Sequence, residues 1–304
     1  FRNPALNASF DLAWEAARLA AGLQHHPTGA LYVVATPIGN LADISLRALH
    51  VLSLVDAIAC EDTRHTQALL RHYGIVKPLL AVHEHNEQEA ALRLIERLRA
   101  GQRLAYVSDA GTPGVSDPGA RLVSAVRAAA IAVVPLPGPS SLTTLLSIAG
   151  MRDDAGAVVF VGFLPSRAGE RALAIEGLGK EARAVVLLEA PHRMAALARD
   201  LALLGERQLT VGRELTKQFE EIASMAAHAL PDWLAQDPQR LRGEFALLIH
   251  PDSGPGPDPL EQALRVLTLL LAELPLKTAV KLAAEITGAP RNALYEKALS
   301  LKRP

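Results

Sequence analysis

Carboxylates, imidazoles, small hydroxyls and one lysine recur in this chain directly behind short apolar runs. Glu61-Asp62-Thr63-Arg64-His65-Thr66 follows Ala57 to Cys60, and Ser108-Asp109-Ala110-Gly111-Thr112-Pro113-Gly114 follows Leu104 to Val107. Pro137-Gly138-Pro139-Ser140-Ser141, Glu189-Ala190-Pro191-His192-Arg193 and Arg213-Glu214-Leu215-Thr216-Lys217 stand behind three more such runs. Glycine lacks a Cβ and proline fixes φ, so the Gly/Pro-dense loop from residue 108 to 119 is rigid and lets a ligand approach its backbone. Asp62 and His65 have the chemistry of a base; the plainer reading of that stretch is a capped helix start with surface ion pairs. Glu214 and Lys217, three apart, are predicted to share a helical face. A lysine buried beside a ligand can be tuned toward a general base, although a solvated salt bridge is its commoner fate. The guanidinium forks of Arg64 and Arg193 suit phosphate.

The apolar runs are what must position these groups. Leu31–Ala35, Ala57–Cys60, Leu79–Val82, Leu104–Val107 and Ile131–Val134 have the length of buried strands, and helical spacing lies between them, as in Leu46, Leu49, Leu52 and then Leu92, Ile95, Leu98. Alternation of this kind predicts a mainly parallel sheet with right-handed crossovers, its polar loops gathered at one edge where open α/β sheets hold ligands. A second half follows, with strands at Val158–Phe163, Ala184–Leu188, Leu209–Gly212 and Phe245–Ile249. Residues 1–29 read as an appended extension with a short amphipathic pattern and solvated His25 and His26. The expected units are then 30–138, 139–250, a linker at 251–259 and a helical piece at 260–304. In that last piece Thr287-Gly288-Ala289-Pro290 is the turn of a helix-turn-helix unit, and seven basic against four acidic residues give it a net +3.

Composition excludes several classes. The chain has 304 residues, is 50% hydrophobic and 21% charged, and carries a net charge of −1, so contact with nucleic acid must be a local patch. A single cysteine excludes a disulfide framework and a cysteine-based zinc site. No apolar run approaches the ~20 residues of a membrane span and no secretory leader is evident, so a cytoplasmic protein is expected. GxGxxG and GxxxxGK[ST] are missing, which removes the standard dinucleotide and P-loop readings, as are HExxH and GxSxG.

Taken together, ATPIGNLADIS, EDTRHT, HEHNE, SDAGTPGVSDPG, PLPGPSS, GFLPS, EAPHR, RELTK and LPLKTAVKLAAEITGAPRNALY resemble the ribosomal RNA small subunit methyltransferase I family of the tetrapyrrole methylase superfamily. The resemblance runs in order from about residue 30 to the end. It implies two α/β domains with a small C-terminal helix-turn-helix-like domain, a homodimer, and S-adenosyl-L-methionine bound between the domains. The implied reaction is 2′-O-methylation of a cytidine ribose of 16S rRNA at the decoding centre, within the 30S subunit. Thr36-Pro37-Ile38-Gly39-Asn40 replaces the GxGxGD loop of most tetrapyrrole methylases. Carried over by position, the cofactor residues are Ile38, Gly39, Val107, Ser108, Asp109, Thr112, Ser140, Ser141, Leu188, Glu189 and Leu215.

A ribose hydroxyl must lose its proton as it attacks, so a base must be within reach. The candidates are Lys217 and Asp62, then Glu214 and His65, with Glu189 and His192 on the same edge. Arg64, Arg193, Lys277, Lys281 and Arg291 are the expected RNA contacts, and no metal is called for by methyl transfer from a sulfonium. A small-molecule tetrapyrrole methylase and a non-catalytic ribosome-assembly factor are the alternatives.

Overall fold

The computed structural model describes residues 4–83, 86–115, 119–151, 157–251 and 259–301. In chain order the first half is α1 (Pro4–Ala21), β1 (Ala30–Val34), α2 (Leu46–Leu54), β2 (Ala57–Cys60), α3 (Thr63–His72), β3 (Leu79–Ala81), α4 (Glu87–Arg99), β4 (Leu104–Val107), α5 (Gly119–Ala128) and β5 (Ala132–Leu136). These five strands form one wholly parallel sheet in the order β3-β2-β4-β1-β5. Alternate residues serve opposite faces: Ile58, Cys60, Ala105 and Val107 enter one core, while Ala57, Ala59, Leu104 and Tyr106 enter the other. A sheet buried on both sides explains why its strands read as continuous apolar runs. Parallel strands also bring every strand end to one edge, so the loops with reactive side chains are neighbours.

The second half is α6 (Ser141–Ile148), β6 (Val158–Phe163), α7 (Ala168–Gly179), β7 (Ala184–Glu189), α8 (Pro191–Leu201), β8 (Gln208–Arg213), β9 (Glu221–Ala226), α9 (Leu230–Ala235) and β10 (Phe245–Ile249). Its sheet runs β6-β7-β10-β8-β9, parallel only between β6 and β7. Three arginines gather carbonyl ends here. Arg207 donates to the carbonyls of His250, Leu178, Glu181 and Arg183, and Arg213 to those of Arg242, Phe219 and Gln239, while Arg171 pairs with Asp200 at 2.6 Å. The C-terminal helices α10 (Pro259–Glu273), α11 (Leu276–Thr287) and α12 (Arg291–Leu301) enclose their own small core of Ala263, Leu267, Val280, Ala283, Leu294 and Ala298. Gly288 ends α11 at φ 71, the left-handed conformation that glycine takes most cheaply.

The N-terminal extension is more than the expected appended piece with a short amphipathic pattern. Its amphipathic pattern is long enough for an 18-residue helix, and α1 lies on α2 with Ala17 and Ala21 buried at the contact. The Trp14 indole donates to the Tyr73 carbonyl at 2.9 Å. His25 is exposed as expected, but His26 is half-buried: its Nε2 donates to the Ala21 carbonyl and its ring lies 5.0 Å from that of His50. Most of the expected linker, the middle of HEHNE and the Ser116–Pro118 part of the Gly/Pro loop lie outside the described residues.

Candidate active site

The loops behind β1, β4 and β5 are knitted together before they meet the second sheet. Thr36 and Gly111 exchange backbone hydrogen bonds at 2.9 and 3.1 Å, and Thr112 Oγ1 donates to the Pro139 carbonyl at 3.0 Å. Gly111 sits at φ 80, and a Cβ there would come within 3.1 Å of Ile38. The close approach of the two loops is therefore reserved for glycine. The Asp62 N–H donates to Asp109 Oδ1 at 3.2 Å, which ties the β2 end to the β4 loop.

Between these loops and the ends of β6, β7, β8 and β10 lies a cavity of about 440 Å³. One wall is polar, with Glu61, Ser108, Asp109, Thr112, Ser140 and Ser141. The opposite wall, from the second sheet, is largely apolar: Phe163, Leu188, Ala190, Pro191, Leu215, Phe245 and Ala246 line it. Of the eleven expected cofactor residues, Ile38, Ser108, Asp109, Thr112, Ser140, Ser141, Leu188, Glu189 and Leu215 line the cavity. Gly39 and Val107 are not among the lining residues. Val107 is a buried core residue of β4. Gly39 is an interdomain contact, since a Cβ there would meet Lys217 Cγ at 2.4 Å and Thr216 Oγ1 at 2.7 Å.

The turn from Glu214 to Lys217 is a knot rather than the helical face expected for Glu214 and Lys217. Glu214 and Thr216 have φ of 51 and 67, the left-handed region that costs a β-branched residue most. The turn holds because its polar groups are paired. Lys217 Nζ donates to Glu214 Oε1 at 2.8 Å and Glu244 Oε2 at 3.1 Å, the Glu244 N–H also reaches Glu214 Oε1, and the Thr216 N–H reaches Glu220. Thr216 Oγ1 in turn accepts from the Asn40 N–H of the first domain at 3.1 Å. The strained pair aims Leu215 inward, where it is buried and lines the cavity.

None of Lys217, Glu214, Asp62 and His65, the groups expected to supply a base, lines the cavity. Burial alone would lower the Lys217 pKa, but its hydrogen bonds to Glu214 and Glu244 outweigh that and leave it above the usual lysine value. Glu214 is likewise pulled below its ordinary value once Lys217 and the Glu244 N–H outweigh burial. Asp62 is the N-cap of α3, accepting from the Arg64 N–H at 2.8 Å. The Arg64 side chain beside it holds its carboxyl down to about 2. That is the plainer of the two readings of the stretch, and a carboxylate so acidic is a weak base. His65 and His192 are exposed. The sequence reading passed over Glu244, which lines the cavity; its place one residue beyond Gly243, at the start of β10, carried no motif.

The expected RNA contacts divide. Arg193 is a clamp: it pairs with Glu189 Oε1 at 3.0 Å and donates to the Leu164 carbonyl, so β7, α8 and the β6 loop share one guanidinium. Glu189 is fully buried, with Oε1 also accepting from the Ala190 N–H at 2.8 Å. Arg64 is 90% exposed though forked onto Asp62, and Lys277, Lys281 and Arg291 are all exposed on α11 and α12.

Two α/β units closing on a ligand-sized cleft at their strand ends define a tetrapyrrole methylase. Residues 30–230 match the Tetrapyrrole (Corrin/Porphyrin) Methylases family, and residues 257–302 match the RsmI C-terminal HTH domain. The fold is similar to a uroporphyrin-III C-methyl transferase from Thermus thermophilus, solved with S-adenyl homocysteine. The TM-score is 0.51 at 18% identity, over 72% of this chain and 96% of that one. A ribosomal RNA small subunit methyltransferase I of Pseudomonas aeruginosa is 49% identical over 275 residues, covering 89% of this chain and 97% of the relative. One from Escherichia coli O157:H7 is 48% identical over 273 residues, covering 89% and 95%. The chain belongs to the ribosomal RNA small subunit methyltransferase I family.

Proposed function

We propose that this chain is an S-adenosyl-L-methionine-dependent methyltransferase that 2′-O-methylates a cytidine ribose of 16S rRNA at the decoding centre. The observation that carries the reading is the two-walled cavity. Its volume is within the ~300–1,000 Å³ range of small-molecule sites. Its hydroxyls and carboxylates on one side and aliphatic and aromatic side chains on the other fit a ligand with a flat ring at one end and hydroxyl and charged groups at the other. Ser108, Asp109, Thr112, Ser140 and Ser141 would hold the ribose and amino-acid portions, and Leu188, Leu215 and Ile38 would enclose the base. When bound, S-adenosyl-L-methionine supplies an electrophilic methyl group.

The chain itself must orient the ribose hydroxyl and take its proton. Glu61, at the polar wall, is the acceptor placed for that, while the Lys217–Glu214 knot keeps Leu215 over the cavity. The relatives' names support rRNA as the substrate; the assembled 30S subunit and the cytoplasm are the context this reading adds. A homodimer belongs to the same reading.

The test is methyl transfer from labelled S-adenosyl-L-methionine to 30S subunits lacking the modification, followed by nucleoside analysis. A 2′-O-methylcytidine product that disappears with Asp109→Ala is expected. Cofactor binding without transfer to any ribosomal substrate would overturn the assignment and favour a small-molecule methylase.

A further inference from the structure

α12 wears apolar residues on two sides. Leu294 and Ala298 are buried in the C-terminal core, yet Tyr295 and Leu299, four apart on the outer side, are 38% and 48% exposed. At 100° per residue, Arg291, Asn292, Tyr295 and Leu299 fall on one exposed arc, with Glu296 its sole acid. A soluble helix normally keeps such an arc polar. The C-terminal helices carry further exposed cations, Lys277 and Lys281 one turn apart on α11, Arg265 on α10 and Lys297 on α12. Lys281 stands 3.9 Å from Glu285, a loose pair.

We infer that this arc is a platform for an unpaired RNA nucleotide, with the Tyr295 ring stacking on the base. The inference rests on the rRNA reading above and says how the C-terminal helices take part in it. Positive charge selects a polyanion, but charge alone would be met by lysines and arginines. An exposed tyrosine flanked by Arg291 and Asn292 adds what a single strand offers and a duplex hides, the face and the edge of a base. Arg291 takes a phosphate, Asn292 is the side chain able to read a base edge, and Leu299 extends the apolar floor. The fit is to a loop or bulge of a structured RNA, in keeping with a chain whose overall charge is −1.

The experiment measures binding to unmethylated 30S subunits, and to a single-stranded RNA oligonucleotide and its duplex, across a range of salt. The proteins are the full-length wild type and the variants Tyr295→Ala, Tyr295→Phe and Arg291→Ala. Stacking on one base is lost in Tyr295→Ala and kept in Tyr295→Phe, so the first is expected to bind the subunit and the single strand roughly 5- to 100-fold more weakly and the second like wild type. Tyr295→Ala leaves the salt slope unchanged, whereas Arg291→Ala reduces it by about one. Circular dichroism checks that the helices persist. Undiminished binding by Tyr295→Ala, or equal binding of single strand and duplex by wild type, overturns the inference and leaves the rRNA assignment standing. Loss of 30S binding but not of oligonucleotide binding in Tyr295→Ala would also overturn it, pointing to a protein surface. A wild-type chain with no affinity for 30S subunits overturns the rRNA assignment itself.

Discussion

Lys217 illustrates how a reactive residue type is spent on geometry. Its ammonium bridges Glu214 and Glu244, and those carboxylates hold it protonated above its ordinary pKa. A general base must instead be near neutrality and within reach of the proton it takes. Its methylenes also fill the space that Gly39 leaves open, so the same side chain ties the turn to the first domain. Lys217→Met removes both charged hydrogen bonds and leaves Glu214 Oε1 half-buried with the Glu244 N–H alone. The expected cost is about 1–3 kcal/mol in the urea unfolding free energy, with weaker binding of S-adenosylhomocysteine because Leu215 loses its support. The pH profile of kcat is expected to keep its shape, since no titrating group of the proposed reaction has gone. A limb that vanishes in this variant would make Lys217 the base after all. None of this was legible in RELTK, because spacing reports neighbours but not φ. Glu214 and Lys217 do meet, through a turn with two left-handed residues rather than along a helix.

At the scale of elements, legibility followed burial. The parallel strands β1, β2 and β4 are continuous apolar runs because both their faces are covered, and their ends were readable from the abrupt change to Gly, Pro and polar residues. The strand β9 at the sheet edge, with its alternately half-buried and exposed residues, and the helices α7 and α9 gave no comparable contrast and were passed over, whereas α3 was readable only as a capped helix start. The helix α1 was half-legible: the periodicity is present, but what it packs against is a tertiary fact. Its seat makes it sensitive to pH. His50 faces the His26 ring, and burial first, then the charge of His26, lowers its pKa from the ordinary 6.5. Among the described residues, His26 also meets the Ala21 carbonyl, the Tyr32 ring and the Arg103 Nε–H, which donates to the His26 carbonyl. A depressed histidine pKa means that the docked state favours the neutral ring. Its contribution is whole above pH 6.5 and is lost as pH falls through the lowered folded value. Trp14 reports on this directly. In a Trp233→Phe background its fluorescence is expected to shift to the red between pH 7 and pH 5 as α1 loosens, and His50→Gln should flatten that response. A transition unchanged by His50→Gln would place the sensitive group elsewhere.

The whole molecule separates making the cofactor cleft from choosing the substrate. Among the described residues, both walls of the cavity come from residues 38–246, and none from α10, α11 or α12 lines it. The three helices also own their core, none of whose buried members belongs to the clusters packed on the two sheets. Two cores that share no side chain have no packing reason to unfold together. A chain ended after Pro251 is therefore expected to bind S-adenosylhomocysteine like the full-length protein and to gain the same ligand-induced rise in Tm, which follows from mass action on the folded state alone. Methyl transfer to 30S subunits should fall at least tenfold in the same variant, and by a larger factor at 50 mM than at 200 mM salt, because the salt-sensitive phosphate contacts are the ones removed. Calorimetry and a transfer assay on one preparation decide it. Retained transfer would mean that the two-sheet body recognises the RNA unaided and that α11 and α12 serve another purpose. Lost cofactor binding would mean that the helices brace the cleft despite their separate core.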